Sequence, residues 1–214
     1  MGDTERFGRL LLDQLEWLHD GSSDAGAWEA EGWYGGDRDR LWIRTEGERS
    51  GGETRNARGE LLGDRSIGPW WSLQAGLRED FGNGPARTWA AFGIEGLAPY
   101  WLEIEATFYV GEGGRTAARL RGEYDLLLTQ RLVLEPQAEL NVYGKPDPAR
   151  RVDSGLAQTE LGLRLRYEIR REIAPYLGVA WMREAGVTPI IGSIATRSSV
   201  ASQAQLVAGV RAWF

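Results

Sequence analysis

Hydrophobic and polar side chains alternate with a period of two along most of this chain. In WLEIEATFYV (residues 101–110) the apolar residues fall on one face, whereas Glu103 and Glu105 fall on the other. Residues 131–143 and 160–169 repeat the pattern. Successive side chains of a β-strand point to opposite faces, and no stretch of a dozen residues keeps a helical stripe. The sequence therefore predicts an all-β protein.

Turn-forming residues divide the chain into about twelve strands. The predicted strands are 8–18, 26–35, 39–49, 55–66, 70–81, 87–97, 100–111, 116–128, 131–143, 156–169, 173–184 and 200–214. Their connections are expected to alternate in length. The short ones lie around Gly36-Asp37, Gly68-Pro69, Pro99, Thr129-Gln130 and Arg171-Glu172. The longer ones are DGSSDAG, RSGGE, FGNGPA, GEGGR, KPDPARRVDSG and the stretch around TPIIGSIATRSS.

Short turns at one end and long loops at the other are typical of an outer-membrane β-barrel. The mean hydropathy of −0.39 does not oppose this, because a barrel strand exposes only alternate residues to lipid. Phe214 closes the last alternating strand, as in outer-membrane barrels. Aromatic residues gather near strand ends, where they would form interfacial girdles. These are Trp17, Trp28, Trp33, Tyr34, Trp70, Trp71, Tyr100, Trp101, Tyr176 and Trp181.

The predicted fold is thus a transmembrane antiparallel up-and-down β-barrel of about twelve strands. We expect residues 8–214 to form the barrel in the outer membrane, with lipid around it. An even strand number places both termini on the periplasmic side. Residues 1–7 are expected to be a periplasmic stub with a truncated or re-engineered start, since no signal peptide begins at Met1. A soluble sandwich is the alternative.

The face opposite the apolar one is rich in charge and is predicted to line a polar lumen. Single buried charges are costly, so these groups need each other or water. Their role is either structural pairing across a narrow barrel or a polar path or metal-handling surface, and the excess of carboxylates over arginines favours cations inside. The predicted inward residues are Gln14, Glu16, Glu29, Glu31, Arg44, Glu46, Glu48, Arg58, Glu60, Asp64, Gln74, Arg78, Asp80, Glu95, Glu103, Glu105, Arg119, Arg121, Glu123, Asp125, Glu135, Glu139, Glu160, Arg164, Arg166, Glu168 and Arg211.

Several function classes are disfavoured. The net charge of −6 argues against nucleic acid as a partner, and the absence of cysteine excludes thiol catalysis. The one histidine, His19, lies too near Ser22 and Ser23 in sequence to serve them well as a catalytic base. We therefore expect no enzymatic activity.

Six phrases together resemble the copper-resistance protein B family (CopB/PcoB), over nearly the whole chain from Leu10 to Phe214. They are LLLDQLEW (10–17), RLWIRTEGE (40–48), GLAPYW (96–101), EYDLLLTQRL (123–132), LGLRLRYEI (161–169) and IAPYLGVAW (173–181). The resemblance implies an outer-membrane protein that exports, admits or sequesters copper ions at the Gram-negative envelope. Periplasmic copper-resistance proteins would be its partners. Family precursors carry a segment rich in methionine and histidine, which this sequence lacks.

Copper would be bound weakly or transiently, and the residues available to contact it are few. His19 is predicted at the outer end of strand 1, and Met182 at the end of strand 11 on the inward face. Both also have structural interpretations, as a rim histidine and as core filling. With the inward carboxylates, the candidate metal contacts are His19, Met182, Glu16, Glu103 and Glu105. The alternative functions are a docking barrel for periplasmic copper-binding partners and a narrow small-solute porin.

Overall fold

The computed structural model describes residues 5–189 and 196–214, and within them the chain forms twelve antiparallel strands. Short 3-10 turns lie at Pro99–Trp101 and Glu112–Gly114. In the described residues, no helix is both long and apolar enough to cross a membrane. The strands are β1 Phe7–His19, β2 Asp24–Gly35, β3 Asp39–Ser50, β4 Glu53–Ser66, β5 Trp71–Gly82, β6 Arg87–Ala98, β7 Leu102–Gly111, β8 Arg115–Glu123 continued by Leu126–Leu127, β9 Leu132–Tyr143, β10 Gly155–Tyr167, β11 Ile173–Pro189 and β12 Thr196–Trp213.

The sheet closes on itself. Each strand pairs with its neighbours in the chain, and β1 also pairs with β12, from Leu11 opposite Trp213 to His19 opposite Leu206. Closure satisfies the backbone groups that an open sheet edge would leave exposed to hydrocarbon. The predicted twelve-stranded barrel is therefore confirmed.

The two faces of the wall are inverted relative to a soluble protein. On β10, the apolar residues Leu161, Leu163 and Leu165 face outward and are more than 40% exposed, whereas Arg164 and Arg166 between them are 2% and 5% exposed. The alternation thus places leucine against lipid and arginine inside, as predicted.

Two strands begin or break differently from the prediction. β7 begins at Leu102 because the preceding turn holds Tyr100 and Trp101 in the left-handed region, at φ 68° and 65°. β8 is interrupted after Glu123, where it lies opposite Pro136 of β9. Proline has no N–H to donate, so the ladder loses a hydrogen bond at that point.

The predicted contrast between short turns and long loops is wrong for four connections. Those after β1, β3, β5 and β7 are only two to four residues long, because the strands extend further than predicted. Gly51 and Gly52, at φ 62° and 87°, allow a two-residue turn after β3. The loop 144–154 between β9 and β10 is long, as predicted. The connection between β11 and β12 falls at 190–195, outside the described residues.

The aromatic girdle is confirmed in part. Trp17 and Trp70 are outward and about half exposed. Trp33 and Tyr176 were wrongly assigned to the girdle, because Trp33 packs on the inward cluster around Trp42 and Tyr176 is 5% exposed. Both fall on the inward phase of their strands, where bulky rings fill the lumen.

Candidate functional site

Inward arginines and carboxylates from different strands meet across the lumen. Arg164 of β10 donates from Nε to Glu16 Oε1 of β1 at 2.6 Å, from Nη2 to Gln14 at 3.1 Å, and from Nη1 to Gln137. All four side chains are buried. This arrangement ties three strands together across the interior, and removing the arginine would leave a buried carboxylate without its partner.

A second group lies beside the first at the middle of the barrel. Arg119 of β8 donates to Glu139 at 2.6 Å and to Glu46 at 3.1 Å, and Arg58 donates to Glu46 at 2.6 Å. Planar guanidinium groups suit such shared pairing with several carboxylates. We call the two groups together the floor, which consists of Gln14, Glu16, Glu46, Arg58, Arg119, Gln137, Glu139 and Arg164.

A further set of ion pairs fills the periplasmic half. Arg166 pairs with Glu135 and, at 2.8 Å, with Asp125, and Arg211 lies 3.3 Å from Glu135. The carboxylates of Glu123, Asp125 and Glu135 approach within 4.8 Å of one another, a spacing that a cation could bridge. Each of them already faces an arginine, Glu123 with Arg121 at 3.3 Å. In this arrangement the arginines already balance the charge of the cluster.

A β-bulge in β1 adds one charge to this half. The register shifts between Leu12 and Gln14, so that Asp13 and Gln14 both turn inward. Asp13 lies 2.8 Å from Arg211 and 3.5 Å from Arg121. Strict alternation predicts Asp13 on the lipid face, and the bulge avoids placing a carboxylate there.

Above the floor, at the end away from the termini, the lumen widens into a cavity of about 930 Å³, which we call the vestibule. Nine carboxylates and four arginines of the described residues line it, which gives it a net negative charge. Below the floor, a second cavity has a volume of only about 30 Å³. The vestibule is therefore an acidic chamber that the buried floor separates from the periplasmic half of the lumen.

The loop 144–154 folds over one side of the vestibule. Asp147 receives hydrogen bonds from Arg87 at 2.7 and 3.3 Å, and Arg150 donates to the carbonyl of Pro85 at 2.9 Å. Burial would raise the pKa of Asp147, but the hydrogen bond from Arg87 and the charges of Arg87 and Arg115 hold it below its ordinary value. The loop is thereby held in place as part of the vestibule wall.

The five predicted metal contacts do not form one site. His19 lies outside the lumen, stacked on Trp17 at 5.4 Å, with Nδ1 2.8 Å from Asp24 Oδ1. Glu16 and Met182 both line the vestibule, but Glu16 is already held by the floor. Their role in binding copper stays a prediction.

The two other predicted contacts lie below the vestibule. Glu105 is half-buried, 3.4 Å from Arg44 and 3.7 Å from Arg119. Glu103 is exposed at the periplasmic end of β7, where its backbone lies opposite Glu123. Neither carboxylate lines the vestibule, and a role for either in binding metal stays a prediction.

Sequence reasoning missed how inward residues group. Gln158 and Glu160 fall in one predicted strand, and Met182 and Glu184 fall in another. Only the observed register shows that the four residues lie side by side on the vestibule wall. Asp13 was missed because no local signal marked the bulge.

The comparisons agree with this geometry. A family model described as copper resistance protein B precursor (CopB) matches residues 6–214. Copper resistance protein B of Escherichia coli is 50% identical over 206 residues, covering 96% of this chain and 69% of that protein. A copper resistance protein B homolog of Pseudomonas syringae pv. tomato is 48% identical over 205 residues, with the same two coverages of 96% and 69%.

Among solved structures, the NanC porin superposes with a TM-score of 0.62 at 14% identity, over 93% of this chain and 98% of that one. The KdgM porin gives 0.53 at 11% identity, over 94% and 99%. Identities this low concern the fold alone.

A closed twelve-stranded wall with apolar residues outside and charged residues inside defines a β-barrel of the bacterial outer membrane. Because the family model matches residues 6–214 and two members are 50% and 48% identical over 96% of the chain, the chain belongs to the copper resistance protein B family. Membership of this family, together with the porin-like fold, indicates a non-enzymatic protein, as predicted.

Proposed function

We propose that this barrel is a gated passage for copper ions across the outer membrane. The vestibule would collect the ions at the cell surface, and the floor would hold the lumen closed until its ion pairs separate. Copper is the cargo here, bound weakly and transiently, and both directions of movement are compatible with the arrangement.

The observation that carries the proposal is the acidic vestibule above a closed floor. Carboxylates that line a concave chamber focus a negative potential and raise the local concentration of cations. The buried floor argues against a permanently open small-solute porin, because arginines that are 2–7% exposed leave little room for water around them.

Copper flux into liposomes tests the proposal. Purified barrel is reconstituted into vesicles that contain a copper-sensitive dye, and wild type is compared with a Glu48→Gln/Glu53→Gln variant, which removes two vestibule charges. Glu79→Gln is the matched control, since Glu79 lies on the outward phase of β5, between the buried Arg78 and Asp80, and accepts a hydrogen bond from Thr88. We expect copper flux above that of empty vesicles, severalfold lower in the double variant and unchanged in the control. Flux equal in wild type and double variant would contradict the proposal.

The closed floor also favours a second function, in which the barrel does not conduct but docks periplasmic copper-resistance proteins at its periplasmic end. Buried ion pairs across the lumen would then serve only to make the scaffold rigid. Wild-type vesicles that take up no more copper than empty ones would favour this docking function.

A further inference from the structure

Four inward residues form a compact patch on the vestibule wall, which we call the Met182 patch. Gln158 and Glu160 lie on β10, and Met182 and Glu184 lie on β11. The register places Gln158 opposite Glu184 and Glu160 opposite Met182. Residues two apart on a strand share a face, and opposite residues have Cβ atoms about 4.5–5.5 Å apart. All four side chains line the vestibule.

The carboxylates of this patch differ from those of the floor. Glu16 and Glu139 are each hydrogen-bonded by an arginine. Within residues 5–189 and 196–214, by contrast, the Glu160 and Glu184 carboxylates accept no hydrogen bond and have no arginine within 4.0 Å. Glu160 also lies directly opposite Glu139 on its other side. Like charges that face each other across strands are unfavourable, and a bound cation would relieve the repulsion.

Met182 gives the patch a different chemistry from the rest of the lumen. Met182 lines the cavity, its Sδ lies 4.0 Å from Gln158 Nε2, and it is the one thioether among the described vestibule residues. A thioether is a soft ligand that selects Cu⁺, whereas carboxylate and amide oxygens suit hard cations such as Ca²⁺ and Mg²⁺. A thioether flanked by two unpaired carboxylates therefore combines attraction for cations in general with a preference for copper.

We propose that the Met182 patch is a transient copper-binding site, in which Glu160 and Glu184 supply charge and the Met182 thioether distinguishes copper from calcium and magnesium. The inference rests on the proposed function, in that the patch would be the first station for an ion that enters the vestibule. Binding is weak because the ligands are few and face water on one side.

Equilibrium titration of the full chain in detergent tests this site. The probes are Cu²⁺, Ag⁺ as a cation with strong preference for thioethers, and Ca²⁺. Met182→Leu keeps the volume of the side chain, and Glu160→Gln keeps its shape while removing the charge. Folding of each variant is checked by heat-dependent migration in gels, and Glu79→Gln again serves as the control.

We expect Met182→Leu to weaken the binding of Ag⁺, which like Cu⁺ is a soft cation, severalfold and to leave Ca²⁺ binding unchanged. Glu160→Gln should weaken the binding of all three cations. Equal Ag⁺ affinity in wild type and folded Met182→Leu would overturn the proposal. Because the titration needs no transport, intact binding without flux would reject only the passage, and flux without a Met182 effect would reject only the site.

Discussion

The ion pair between Arg164 and Glu16 should be among the strongest single determinants of barrel stability. Both side chains are only 3% exposed, and the Nε–Oε1 distance is 2.6 Å. Arg164→Met leaves the Glu16 carboxylate buried without a counter-charge, a defect that costs about 3–5 kcal/mol. The double variant Arg164→Met/Glu16→Gln removes both charges and should recover at least half of that loss.

A pair with the same bond length but a different environment provides the control. Arg65 and Asp39 are also 2.6 Å apart, yet both are at least 60% exposed. Arg65→Met should therefore cost less than about 1 kcal/mol, because solvent screens the pair. The measurement is equilibrium unfolding in urea from phospholipid vesicles, followed by tryptophan fluorescence. Equal losses for Arg164→Met and Arg65→Met, or a double variant no better than Arg164→Met, would refute the reasoning.

Two further perturbations test local features. Pro136→Val supplies the missing N–H opposite the break in β8 and should stabilise the barrel by about 0.5–1.5 kcal/mol. Amide hydrogen exchange at Tyr124–Leu127 should become slower in this variant. Faster exchange there would contradict this explanation of the break. Asp147 has a pKa below its ordinary value, because the hydrogen bond and charge of Arg87 and the charge of Arg115 outweigh its burial. Its contribution is therefore full above the unfolded pKa of about 3.9 and is lost as pH falls through the folded value. The stability difference between wild type and Asp147→Asn should accordingly shrink below about pH 4, and a difference that does not change between pH 7 and pH 3 would contradict this.

The architecture could be predicted because alternation is a local property. The spacing of Leu161, Arg164 and Leu165 alone predicts which face of the strand each occupies, and the structure confirms those faces. Strand ends were harder to place. Tyr100 and Trp101 adopt left-handed backbone conformations, which non-glycine residues seldom do, so their sequence does not indicate a turn.

The site could be predicted as a composition but not as an arrangement. Arg164 and Glu16 are separated by 148 residues, and their meeting depends on how the barrel closes. The strand register likewise determines that Met182 lies beside Glu160. A β-bulge turns Asp13 inward, and no sequence motif predicts that bulge. Long-range closure, rather than local preference, therefore determines which charges pair and which remain free.

Single-channel recording in a planar lipid bilayer tests the central claim, that buried ion pairs close a charged lumen. The wild-type barrel should show a closed baseline, with at most brief openings. The Arg164→Met/Glu16→Gln variant should be open for a larger fraction of the time, since it removes the floor's most buried ion pair. A wild-type barrel that conducts steadily from the moment of insertion would contradict the account.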